Sequence, residues 1–145
     1  MVSFLWGIDD AEEQPAVSKI CIQASDAPPA LGPYSHAVIA GDFLFLSGQG
    51  ALAADGSGIV HGTIEEETHL TFSNIKAVLK EAGASLQDVV KVLVFLDDIK
   101  TFSAFNKVYA EYFPENPPAR SCVEAAKLPG NMRVEIEVVA LLPKN

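Results

Sequence analysis

Positive charge is scarce in this chain. Ten Lys and Arg stand against nineteen Asp and Glu over 145 residues, a net charge of −9. A nucleic-acid backbone is held largely through a basic footprint, and no run of Lys or Arg occurs, so RNA and DNA are disfavoured as partners. Cysteine is nearly absent: Cys21 and Cys122 are too few for a disulfide framework and lack metal-ligand spacing. Both read as reduced thiols of a cytoplasmic protein. His36, His61 and His69 are scattered, without a second ligand at helical or Cys-x-x-Cys spacing, so neither a metal nor another cofactor is expected. Long apolar runs are missing too; none approaches the ~20 residues of a membrane span. The apolar start Met1–Ile8 lacks a basic flank and runs into Asp9-Asp10 and Glu12-Glu13, which argues against a signal peptide or presequence.

What remains is ordinary globular composition, 49% hydrophobic and 20% charged, of one-domain length. Residues 1–17 read as an N-terminal extension, expected to be partly disordered, and residues 18–145 as a single domain. Alternating patterns predict strands at 18–23, 35–40 and 42–47, the last two joined through Gly41. Thr63-Ile64-Glu65-Glu66 is a capping box opening a helix, in which Thr68, Phe72, Ile75 and Leu79 form one stripe and Gly83 closes the end. A β-branched strand follows over 89–96. A second helix spans about 101–113, its aromatic residues on one side, and two strands complete the chain at 119–126 and 133–141.

Two helices with one apolar stripe each belong on one face of a single six-stranded sheet. The other face would then be bare, and Arg120 and Glu135 are expected on it beside apolar side chains. A half-bare sheet in so small a chain predicts burial against further copies, with ligand pockets at the joints.

Arg120 is the most informative residue. It opens an alternating strand after Pro117-Pro118, where a guanidinium is costly to desolvate unless an anion meets it. Its planar fork suits a carboxylate, which points to a small carboxylic acid. On spacing alone, a structural ion pair with Glu124, Glu135 or Glu137 is the stronger reading.

Five motifs in order carry a resemblance: Gly32-Pro33-Tyr34-Ser35-His36-Ala37-Val38, Ser47-Gly48-Gln49, Asn106-Lys107-Val108-Tyr109, Pro118-Ala119-Arg120-Ser121-Cys122-Val123-Glu124, and Leu128-Pro129 followed by Val134-Glu135-Ile136-Glu137. From about Ile20 to Leu142 the chain resembles the RidA/YjgF family of reactive intermediate deaminases, also described as L-PSP endoribonucleases or translation inhibitors. The resemblance implies a chorismate-mutase-like α+β subunit, a homotrimer, and sites at the clefts between subunits. It implies hydrolysis of 2-imino acids, the short-lived products of pyridoxal-phosphate dehydratases, to 2-keto acids and ammonia. The aligned site positions are Tyr34, Ser47, Asn106, Arg120, Cys122 and Glu135, all of the expected type. His36 stands where many relatives have Gln, and the N-terminal extension has no counterpart.

On that basis Arg120 would clamp the substrate carboxylate, and Glu135 would orient the attacking water and handle its proton. The Cys122 backbone would meet the imine nitrogen, Tyr34 and Ser47 would wall the pocket and hold water, and Asn106 would support its shape. The iminium carbon is already electrophilic, so neither a metal nor a covalent nucleophile is required. Two rival readings remain: a ribonuclease, and a noncatalytic or chaperone-like trimer that binds small carboxylates.

Overall fold

The structure, a computed structural model, describes residues 18–144. The N-terminal extension therefore lies outside the described residues. Six strands form one sheet: β1 (Lys19–Ile22), β2 (Ala37–Ala40), β3 (Phe43–Leu46), β4 (Val89–Leu96), β5 (Ala119–Glu124) and β6 (Val134–Leu141), with helices α1 (Ile64–Glu81) and α2 (Phe102–Tyr112) between them. The spatial order is β1-β2-β3-β6-β4-β5. Only β4 and β5 run parallel, joined through α2, as a parallel pair requires a crossover. The expected edge strand β1 pairs only with β2, and Gly41 turns the β2–β3 hairpin at φ 60°, a left-handed conformation that glycine adopts without strain.

Helix α1 starts where the capping box places it. The Thr63 hydroxyl accepts from the Glu66 amide at 3.2 Å, and the Glu66 carboxylate accepts from the Thr63 amide at 2.8 Å. Gly83, at φ 79°, follows the helix in the left-handed conformation favoured beyond a C-terminus. The buried stripe includes Thr68 and Thr71, whose hydroxyls bond back to the Ile64 and Glu67 carbonyls at 2.6 and 2.7 Å. Phe72 stacks on Tyr112 at 4.2 Å and meets Tyr109 and Phe113 edge-on, which locks α1 to α2.

Both helices cover one face of the sheet. Leu44, Leu46, Val92, Val94, Leu96, Val134, Ile136, Val138 and Ala140 lie under them, all buried. The alternate positions form the other face, where Phe43, Phe45, Leu141 and Val123 remain 42–46% exposed. An α+β subunit with a six-stranded mixed sheet and both helices on one face is therefore observed. One expectation fails. Arg120 is in register with Val92, and Cys122 with Val94, which places both on the helix side; Glu135, in register with Phe95, lies on the open side. Directly paired residues share a face, so the β4–β5 register decides the matter, and the sequence does not display that register.

Candidate functional site

The predicted site residues fall into two groups. The first lines a cavity of about 630 Å³ that includes Tyr34, Ser47, Gly48, Glu135 and Glu137, over an apolar floor of Leu52 and Met132. Its walls are held from several directions. Gln49 exchanges both backbone hydrogen bonds with Ile136 at 2.9 Å, which lays the Ser47-Gly48-Gln49 segment beside Glu135 on β6. Asn74, buried in α1, donates to the Gly50 and Leu52 carbonyls at 3.0 and 2.9 Å and so fixes the floor. Glu67, 1% exposed, accepts from the Gly62 and Arg133 amides at 3.2 and 2.7 Å, anchoring β6 two residues before Glu135.

Within this cavity the hydroxyls are already oriented. The Ser47 hydroxyl donates to the Ser35 carbonyl at 2.7 Å, so only its lone pairs face outward for use. The Tyr34 hydroxyl accepts from the Leu31 amide at 3.1 Å and keeps its proton for a ligand or water. Glu135 is half-buried, and desolvation lifts its pKa above the ordinary glutamate value, helped by the Glu137 charge. Gly48 is the reason Glu135 fits: a Cβ there would stand 2.8 Å from the carboxylate carbon and Oε2.

The second group sits at the β5 edge. The Arg120 guanidinium lies over Tyr109 at 4.5 Å and over Phe102 and Phe105 at 5.6 Å, an aromatic cradle supplied by α2. Asn106 is half-buried on the same helix flank, four residues after Phe102 and three before Tyr109. Among the described residues Arg120 pairs with no carboxylate. Glu124 instead accepts from the Ile99 amide at 2.8 Å, and Glu135 and Glu137 are across the sheet, so the structural ion pair is not made. Burial raises the Cys122 thiol pKa, only partly countered by Arg120, which keeps it a thiol rather than a nucleophile at neutral pH. Burial likewise pushes Tyr109 up to about 12, despite the neighbouring cation.

Arg120, Cys122 and Asn106 do not line the cavity that holds Glu135. The β5 residue level with Glu135 is Val123, two strands away and three residues from Arg120. At ~4.8 Å per strand and ~3.3 Å per residue the two backbones are about 14 Å apart, with side chains on opposite faces. One copy thus keeps the predicted residues in two separate groups. Glu137, Gly48 and the aromatic cradle went unassigned as site residues in the sequence; the i, i+2 spacing of Glu135 and Glu137 and the helical spacing of Phe102, Phe105 and Tyr109 were the available signals.

The sequence profile of the family described as Endoribonuclease L-PSP matches residues 24–142. The chain belongs to that family. A RutC family protein of Pyrococcus abyssi is 46% identical over 124 residues, covering 86% of this chain and 98% of the relative. Arabidopsis thaliana Reactive Intermediate Deaminase A, a chloroplastic protein, is 39% identical over 127 residues, 88% of this chain and 68% of the relative. Among solved structures, E. coli TdcF with bound serine superposes with a TM-score of 0.80 at 34% identity, covering 86% of this chain and 99% of that one. These L-PSP relatives share the chorismate-mutase-like arrangement of sheet and helices, and deaminases occur among them. The chloroplastic relative means that family membership does not specify the cytoplasm; no helix among the described residues is long and apolar enough to cross a membrane.

Proposed function

We propose that the protein hydrolyses 2-imino acids, of the iminopropanoate and iminobutanoate type, at a site completed by two copies of the chain in a homotrimer. Arg120 carries the reading. It is a partly buried cation, stacked on aromatic rings and without a carboxylate partner among the described residues, in a protein of net charge −9. Such a guanidinium is ready for an external carboxylate. Among the described residues no cation lines the Glu135 cavity, and a neighbouring copy's Arg120 would supply one. Covering the open face supports association, since Phe43 and Phe45 are still 42% and 46% exposed and burying the remainder of each gains about half of the ~1.5–3 kcal/mol of a full burial. Serine bound to TdcF supports an amino-acid-like ligand, and the name of the Arabidopsis relative supports the reaction.

In the proposed reaction Arg120 grips the substrate carboxylate, with the Cys122 backbone at the imine nitrogen and Asn106 in support. Fixing the substrate this way removes several kcal/mol of barrier through orientation. Glu135 takes a proton from water held by Tyr34 and Ser47 as the oxygen adds to the iminium carbon. The C–N bond of the resulting carbinolamine then breaks. The nitrogen takes the proton back from Glu135 and leaves as ammonia, while the carbinolamine hydroxyl gives its own proton to the freed Glu135 carboxylate as the C–O bond becomes the ketone of the 2-keto acid. A raised Glu135 pKa suits a group that must both accept and return a proton. No step needs a metal, a cofactor or a thiolate. A cytoplasmic setting belongs to the same proposal, supported by the free thiols Cys21 and Cys122.

The test couples the protein to threonine dehydratase and follows keto-acid formation while semicarbazide competes for the imine. Acceleration by the wild type and none by Arg120→Ala is the expected result; equal rates would reduce the site to a binding pocket. The family's description favours a ribonuclease as second reading. RNA cleavage that persists through purification while imine hydrolysis is absent would establish it instead.

A further inference from the structure

His36 takes no part in the proposed chemistry, yet it is 4% exposed and both ring nitrogens are engaged. Nδ1 accepts from the Ala24 amide at 2.8 Å, and Nε2 donates to the Pro28 carbonyl at 2.8 Å. An amide N–H only donates and a carbonyl only accepts, so the pair selects the neutral ring with its proton on Nε2. The main-chain carbonyl of the same residue accepts from the Ser47 amide at 3.0 Å. His36 therefore ties three pieces of chain together: the turn at 24–28, the entry to β2, and the segment leading to Gly48. Between its anchors runs the rim of the cavity, where Leu31 is 64% and Tyr34 42% exposed. Within one copy that rim buries too little of itself to be held by packing alone.

We propose that His36 is a positioning residue of the imine-hydrolysing site, whose two ring hydrogen bonds hold the Leu31–Tyr34 rim so that the Tyr34 hydroxyl faces the Glu135 cavity. The inference rests on the function proposed above for its kinetic consequence, but not for its structural content. What matters is one acceptor and one donor at a fixed spacing, and a glutamine amide offers the same pair. Phenylalanine fills the volume and leaves the Ala24 amide and Pro28 carbonyl orphaned. A rim so released spends less time in the assembled form, and apparent affinity falls by that fraction.

The experiment compares full-length wild type, His36→Gln and His36→Phe. Hydrogen exchange at the Ala24 amide reads the ring contact without any ligand, 2-oxobutanoate titration reads the cavity, and the coupled assay splits KM from kcat. Slow Ala24 exchange is expected in the wild type and in His36→Gln, with fast exchange in His36→Phe. His36→Gln should bind and turn over within about threefold of the wild type, whereas His36→Phe should lose at least tenfold in affinity and KM and much less in kcat. Tenfold is 1.4 kcal/mol, within the cost of one orphaned buried group. If His36→Phe does not fold, His36→Asn, too short to reach both partners, should fall between the wild type and that loss. Equal Ala24 exchange in all variants, or a His36→Gln protein as impaired as His36→Phe, overturns the proposal. The two readings fail separately: a wild type without imine hydrolysis removes the reaction, while the exchange pattern decides His36.

Discussion

Adding one methyl group at Gly48 should disable the site while leaving the fold intact. A Cβ at this position stands 2.8 Å from Glu135 Cδ and Oε2 and 3.0 Å from Cγ, well inside van der Waals contact. The backbone conformation itself tolerates alanine, as Gly48 is absent from the residues with positive φ. The strain therefore falls on the Glu135 side chain. Restoring ordinary contact at ~3.5 Å requires the carboxylate to retreat by about 0.7 Å. Overpacking of this kind costs ~1–3 kcal/mol in a tight core, and the lower end applies to the movable end of a half-buried side chain. Catalysis is less forgiving: a shift approaching 1 Å in a water-orienting group costs on the order of 10²-fold. The methyl also strips solvent from a carboxylate whose pKa burial already raises, so the acid limb of the rate profile should move to higher pH. The assay is kcat/KM for imine hydrolysis against pH, with a urea melt of the same sample. Gly48→Ala with full activity and an unmoved acid limb would refute the role given to Glu135. Loss of activity in step with loss of fold would refute the geometric argument.

Glu137→Gln removes the charge that helps raise Glu135, so the acid limb should shift to lower pH, with little change on the plateau. The linkage sign gives a second readout. A carboxyl raised in the folded state costs stability once pH climbs above its unfolded value, so Glu135→Gln should stabilise the protein near pH 7, and the gain should vanish under acid conditions; urea melts at two pH values check this. At the β5 edge, Tyr109→Leu removes the ring nearest the Arg120 guanidinium. KM should rise several-fold, in line with ~0.5–2 kcal/mol for a cation over an aromatic face, and Tyr109→Phe should keep KM near the wild-type value in the same assay.

Most of the architecture is legible in the residues because periodicity and caps are local. The Thr63–Glu66 box, the Phe72 stripe and the Gly83 stop all mark α1, and the alternation of Val134, Ile136, Val138 and Ala140 against Glu135 and Glu137 separates the two sides of β6. Alternation says which residues share a side, but not which side the helices cover. For β5 that depends on its parallel register with β4, a contact between segments about thirty residues apart, and this is why Arg120 was expected on the wrong face. Glu67 escaped for a similar reason. An acidic residue in a helix's first turn reads as a solvated charge, yet beside the nearby Gly62 amide its second partner is the Arg133 amide, distant in sequence. The resemblance named the site residues without showing that one chain holds them in two separate groups.

Because Arg120 and Glu135 lie on opposite faces, an Arg120→Met protein and a Glu135→Gln protein should each be inactive, yet cure one another when mixed. Refolding them together at equal amounts should return activity to about a quarter of the sites, since each site draws its cation and its carboxylate from independent copies. Mixed oligomers with no recovered imine hydrolysis, each parent folded and assembled, would contradict a site shared between copies.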